Sequence, residues 1–92
     1  MIVRISGEDQ YVLADSESER LNELEQAVIA TVDGGREEDF APAYSALLDH
    51  VRSNGTRVAD DDLSGSDVIL PPADLSFTEA GTEFTGEGLI PD

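Results

Sequence analysis

Between Ser16 and Asn54 the apolar residues recur at spacings of three and four, the period of helices that each bury one face. Leu21, Leu24, Val28 and Val32 form one stripe, and Phe40, Tyr44, Leu47, Leu48 and Val51 form a second. Gly34-Gly35 interrupts the pattern between them. Ser16 with Glu19 has the form of a capping box, in which a hydroxyl and a carboxylate satisfy free amides of a first helical turn. Glu37, Glu38 and Asp39 place negative charge at the start of the second stripe and Arg52 places positive charge in its last turn, as the helix dipole favours. Gly55 is expected to close that helix as a left-handed residue. So short a connection predicts antiparallel helices packed face to face. The flanking Ala27, Ile29 and Ala46 are expected to leave a residual apolar patch.

Around this pair lie short runs of strand-forming residues. Ile2 to Ile5 and Gln10 to Leu13, joined by the turn-rich Ser6-Gly7-Glu8-Asp9, predict an N-terminal β-hairpin. Val3 with Ile5, and Tyr11 with Leu13, each share a face that can lie on the helices. A hairpin is marginal alone, so a further strand is expected from Thr56-Arg57-Val58, Val68-Ile69-Leu70 or both. Beyond Pro71-Pro72, Ser76-Phe77-Thr78-Glu79 is a second capping-box pattern and predicts a short helix from about Phe77 to Phe84, weakened by Gly81 and by threonines. The last residues read as an extended tail anchored by Leu89 and Ile90. The fold class is therefore α+β: a small antiparallel sheet on an antiparallel helix pair, with a short, weak C-terminal helix.

Ninety-two residues make a single domain over 1–92, without room for a second core. The formal net charge of −16 raises the question of disorder. Leu, Ile, Val and Phe answer it: they supply 24 of 92 residues at regular spacing, which is enough to fold. All five basic residues are arginine, set against 21 acidic side chains, the composition expected of a protein adapted to high salt, as in a halophilic organism. At molar salt the Debye length is about 3 Å, so self-repulsion is largely screened. The same charge excludes direct contact with nucleic acid or an anionic membrane, both of which require a basic patch. Neither a signal peptide nor a membrane span is present in the sequence, which predicts a cytoplasmic protein.

Little in the chain points to chemistry. Asp60, Asp62, Ser64 and Gly65 match the first half of an EF-hand calcium loop, but Pro71 stands where the bidentate glutamate is needed. His50, the single histidine, lies beside Val51 at a helix edge, and no nucleophile is set near it by spacing. Cysteine and lysine are absent and no phosphate-binding glycine loop follows a strand. No catalytic, cofactor or metal residue is assigned, and the chain is read as a non-enzyme.

The segment Ser66-Asp67-Val68-Ile69-Leu70-Pro71-Pro72-Ala73-Asp74, followed by Ser76 to Glu79 and Gly88-Leu89-Ile90-Pro91, resembles the phage-shock-protein-A-associated family, small proteins of archaea and actinobacteria. The likeness runs from the Met-Ile-Val-Arg-Ile start and Gln10-Tyr11 to the tail, and departs in the third helix at Gly81-Thr82 and Thr85-Gly86. It implies an accessory role in envelope stress response beside phage shock protein A, a membrane-remodelling coiled-coil protein, through protein–protein interaction. Two readings of Ser66 to Asp74 stand side by side. Asp67 or Asp74 caps amides while Pro71-Pro72 forces an extended bend, or else Ser66, Asp67, Leu70, Pro71, Pro72 and Asp74 form a partner-binding edge. The competing functions are a metal-dependent or hydrolytic activity around Asp60, Asp62 and His50, and a homodimer pairing through an open sheet edge.

Overall fold

A computed structural model describes residues 1–58, 65 and 67–84. The hairpin forms as its residues predict: β1 (Ile2–Ile5) and β2 (Gln10–Val12) pair antiparallel, with Val3 opposite Tyr11. Gly7 carries the turn at φ 79°, and the Glu8 amide donates to the Ile5 carbonyl at 2.8 Å. Val3, Ile5 and Leu13 point inward and are buried, as alternation along a half-covered strand requires.

The chain then enters α1 (Ser18–Asp33) through a 3-10 turn at Asp15–Glu17. The Ser16–Glu19 capping box does not form. The residue before α1 is Glu17, already in a helical conformation and without a side-chain cap, because the turn has tightened the chain one step early. Gly35, at φ 66°, ends α1. The Arg36 amide donates to the Thr31 carbonyl and the Gly35 amide to the Val32 carbonyl, the paired bonds of a Schellman motif.

The helix α2 (Glu37–Asn54) packs against α1 and buries all five residues of its predicted stripe. On α1 the buried arc is wider than its stripe: Leu21, Val28, Ile29, Thr31 and Glu25 are buried, while Leu24 and Val32 are half-covered at its margin. Ile29 is thus core rather than part of a residual patch; Ala27 and Ala46 are exposed. The arc widens because α1 meets α3 (Phe77–Glu83) as well as α2.

Both candidate strands are used. β3 (Thr56–Val58) adds antiparallel to β2 and β4 (Val68–Leu70) adds to β1, giving the order β3-β2-β1-β4. The sheet is mixed rather than antiparallel throughout, since β4 runs parallel to β1. In that direction β4 delivers Pro71 to the middle of α2, where its carbonyl accepts the Tyr44 hydroxyl; the reverse direction would carry the chain to the other end of the sheet.

Gly55 between α2 and β3 also departs from expectation. It is extended, at φ −87° and ψ 155°, not left-handed. What demands glycine is space: a Cβ there would lie 2.6 Å from the Val51 carbonyl oxygen and 2.8 Å from the Tyr11 Cβ. The second capping box does form, with the Glu79 amide donating to Ser76 Oγ at 3.2 Å and the Ser76 amide donating to Glu79 Oε1 at 3.4 Å.

Candidate partner-binding edge

The segment from Asp67 to Asp74 leaves the sheet edge and turns back over α2, and its residues divide by burial. Asp67 is held at the start of β4 by a reciprocal pair: the Ile2 amide donates to Asp67 Oδ2 at 2.8 Å, and the Asp67 amide donates to the Ile2 carbonyl at 2.9 Å. Leu70 is 0% exposed and packs in the core; its carbonyl accepts the Ser6 amide at 2.9 Å. Pro71 is buried under Tyr44. Pro72 is half-buried, and its carbonyl accepts the Leu75 amide at 3.1 Å, closing a turn that leaves Ala73 and Asp74 exposed. Ser66 lies outside the described residues. Of the residues proposed for a contact, then, Asp67, Pro72 and Asp74 face solvent, while Leu70 and Pro71 hold the segment to the core.

A residue absent from that set is the most accessible apolar side chain of the edge. Ile69 is 60% exposed, between buried Val68 and Leu70. Alternation in a strand whose flanking residues point inward is the signal that identifies it. Ile69 lies in register with Arg4 on the outer sheet face, where Val12 is 43% exposed. Beside it, Ser6, Ile69, Pro72, Leu75 and Glu79 surround a shallow depression of about 230 Å³.

On the other side of the 73–77 turn lies a larger groove of about 440 Å³. Its floor is α2, with Phe40, Tyr44 and Leu48, and its far wall is Ala73, Leu75 and Phe77. The aromatic rings fix this wall. Phe40 stacks on Tyr44 with centroids 5.5 Å apart, Phe77 meets Phe40 edge-on at 5.8 Å, and Phe84 meets Tyr44 edge-on at 5.6 Å. Such pairs favour one geometry beyond the area they bury.

Four of the five arginines are taken up by ion pairs: Arg20 with Glu23, Arg36 with Asp39, Arg57 with Asp9, and Arg52 with both Glu8 and Asp49. Arg52 donates to the two Glu8 oxygens at 3.1 and 2.7 Å and to Asp49 at 3.2 Å. The Glu8 hydrogen bonds above all raise its pKa above the usual arginine value. His50 joins α2 to the 3-10 turn: Nε2 meets Glu17 Oε2 at 2.8 Å, and the Asn54 amide lies 3.2 Å from Nδ1. Both ring nitrogens are engaged within the fold.

Glu25, which apolar spacing does not mark, is 0% exposed within the α1 face. Burying a carboxyl is costly unless it is hydrogen-bonded. Every buried side-chain nitrogen and oxygen among the described residues has a partner. Asp60, Asp62 and Ser64 of the acidic run lie outside the described residues, and exposed Gly65 is the one member within them. Among the described residues no helix is long and apolar enough to cross a membrane.

No curated protein and no solved structure matches this chain. The model of the family described as PspA-Associated protein matches residues 1–92. An edge strand tied to the core at both ends, a rigid proline turn and an acidic surface are therefore features of a chain that belongs to the PspA-associated family.

Proposed function

We propose that the protein is a non-enzymatic interaction module that assists phage shock protein A in an envelope stress response, working in the cytoplasm at high salt. The family match over residues 1–92 carries this reading. The edge made by Asp67, Ile69, Pro72 and Asp74 is the contact we assign to it. Its backbone is held by the Ile2, Ser6 and Tyr44 hydrogen bonds, so a partner meets a surface that needs little ordering on binding. Ile69 supplies the apolar anchor and the two aspartates a polar rim.

The test is to mix the purified protein with purified PspA from the same cell in molar KCl and to measure association by light scattering and titration calorimetry. A complex that Ile69→Lys weakens about tenfold or more, with an unchanged melting temperature, supports the reading. Absence of any complex with PspA overturns it. A complex indifferent to Ile69 moves the contact off this edge.

A further inference from the structure

Asn54 and Gly55, where α2 passes into β3, set a carboxamide next to an amide nitrogen with no side chain beside it. In such a pair the second residue's nitrogen can close on the Cγ of the first, because glycine offers no Cβ to block the approach. The fold cannot escape this by changing Gly55: a Cβ there would meet the Val51 carbonyl oxygen at 2.6 Å and the Tyr11 Cβ at 2.8 Å. Asn54 is exposed, so water and base reach it. The other asparagine, Asn22, lies inside α1 and is followed by Glu23 rather than glycine.

The folded geometry holds the two reacting groups apart. Asn54 is the last residue of α2, and helical side chains lean toward the helix N-terminus, away from the following nitrogen. Its carboxamide is fixed one turn back: Nδ2 donates to the His50 carbonyl at 3.0 Å and lies 3.2 Å from His50 Nδ1. Glu17 Oε2, 2.8 Å from His50 Nε2, accepts from the ring on that side and leaves the Nδ1 lone pair for Asn54. The Gly55 amide, the attacking group, donates to the Val51 carbonyl at 2.8 Å. Both groups must leave their helical partners before they can meet, whereas the rest of the domain can stay folded.

We infer that Asn54-Gly55 is a deamidation site gated by the last turn of α2, with the Glu17–His50–Asn54 chain of hydrogen bonds as its latch. When the turn opens, the Gly55 amide gives its proton to hydroxide and its nitrogen bonds to Asn54 Cγ. The Cγ–Nδ2 bond then breaks, and the carboxamide nitrogen leaves as ammonia with a proton from water. Water opens the resulting succinimide at either carbonyl, which yields aspartate or isoaspartate. Either product loses the donor to the His50 carbonyl and sets a negative charge at the negative end of the α2 dipole. Isoaspartate also lengthens the backbone between α2 and β3, which takes that edge strand out of register with β2. The chemistry is independent of PspA and of the Ile69 edge.

Trypsin, cutting after Arg52 and Arg57, releases the site as residues 53–57. Conversion is therefore read by mass spectrometry of that fragment after the full chain has stood in molar KCl at mildly alkaline pH. A free peptide of residues 53–57 gives the ungated rate. The expected result is aspartate and isoaspartate at position 54 of the full chain, formed about ten- to a hundredfold more slowly than in the peptide, since local opening costs less than unfolding. His50→Ala, which removes the imidazole acceptor, accelerates conversion about threefold or more. If His50→Ala fails to fold, Glu17→Ala, which frees the ring, serves instead. Asn54→Gln, whose longer side chain closes a ring poorly, abolishes conversion. Tyr44→Phe, which weakens the domain without touching the turn, leaves the rate within about twofold and so separates local from global opening. Conversion at the peptide's rate, none within about a hundred of its half-times, no acceleration in the latch variant, or equal acceleration in Tyr44→Phe each overturns the inference.

Discussion

Replacing Gly55 by alanine adds one methyl group where α2 gives way to β3. The backbone torsions there suit any residue, so the substitution is not penalised by conformation. It is penalised by contact: the new Cβ lies 2.6 Å from the Val51 carbonyl oxygen and 2.8 Å from the Tyr11 Cβ. Neither neighbour is a flexible tip. The Val51 carbonyl accepts the Gly55 amide at 2.8 Å, and Tyr11 is fixed in the sheet between Val3 and Arg57. Overpacking of this kind costs about 1–3 kcal/mol. Against it, alanine gains about 0.4–1 kcal/mol by restricting the unfolded chain. The net is a loss of about 1–2 kcal/mol, which in a domain of this size lowers the melting temperature by about 5–15 °C. Circular dichroism melts of both proteins in molar KCl measure it. Gly55→Asn separates the collision from a left-handed cap: asparagine suits a left-handed position but carries the same Cβ, so it is destabilised as much as alanine. A Gly55→Ala protein that melts at or above the parent refutes the collision, and a tolerated Gly55→Asn with a damaged Gly55→Ala refutes the extended conformation.

Four further outcomes follow from burial and charge elsewhere in the chain. Tyr44→Phe leaves the buried Pro71 carbonyl without its donor and lowers stability by about 1–3 kcal/mol in a denaturant titration; an unchanged midpoint removes that bond as the anchor of the proline turn. Pro71→Ala, at a buried site, lowers stability by about 1 kcal/mol. Pro72→Ala, half-exposed, leaves the melt nearly unchanged but weakens PspA binding in calorimetry; the reverse pattern assigns Pro72 to folding and frees the edge of a binding role. The melting temperature rises from low to molar KCl, because salt screens the self-repulsion of a −16 chain while each exposed ion pair it weakens is worth about 0–1 kcal/mol. A flat or falling melting temperature overturns that balance.

The candidate surfaces were only partly legible before folding. Ser66 to Asp74 stands out in the sequence as an unusual segment, yet its apolar motif residues Leu70 and Pro71 turn out to be the buried ones, and Ile69 the exposed one. Strand alternation could have separated them; only the pairing of Ile5 with Leu70 says which face is inside. The α2 groove was not legible at all. Its floor reads as ordinary core stripe, and its far wall comes from Leu75 and Phe77, which reach α2 only after the proline turn.

By itself the sequence determined what depends on neighbours a few residues away. Helical spacing marked α1 and α2, alternation and a glycine turn marked the hairpin, and Ser76 with Glu79 marked the start of α3, because each signal and its consequence lie within one or two turns of chain. Tertiary structure decided what depends on residues brought together from afar. The direction of β4 follows from Ile2 meeting Asp67 and Tyr44 meeting Pro71. The need for glycine at position 55 follows from Tyr11 lying against it. Glu17 turns to His50, and Arg52 is shared by Glu8 and Asp49 rather than left open to a partner. Local patterns carry no information about such distances, since closing a chain loop of dozens of residues is settled by the sum of the packing and not by either end.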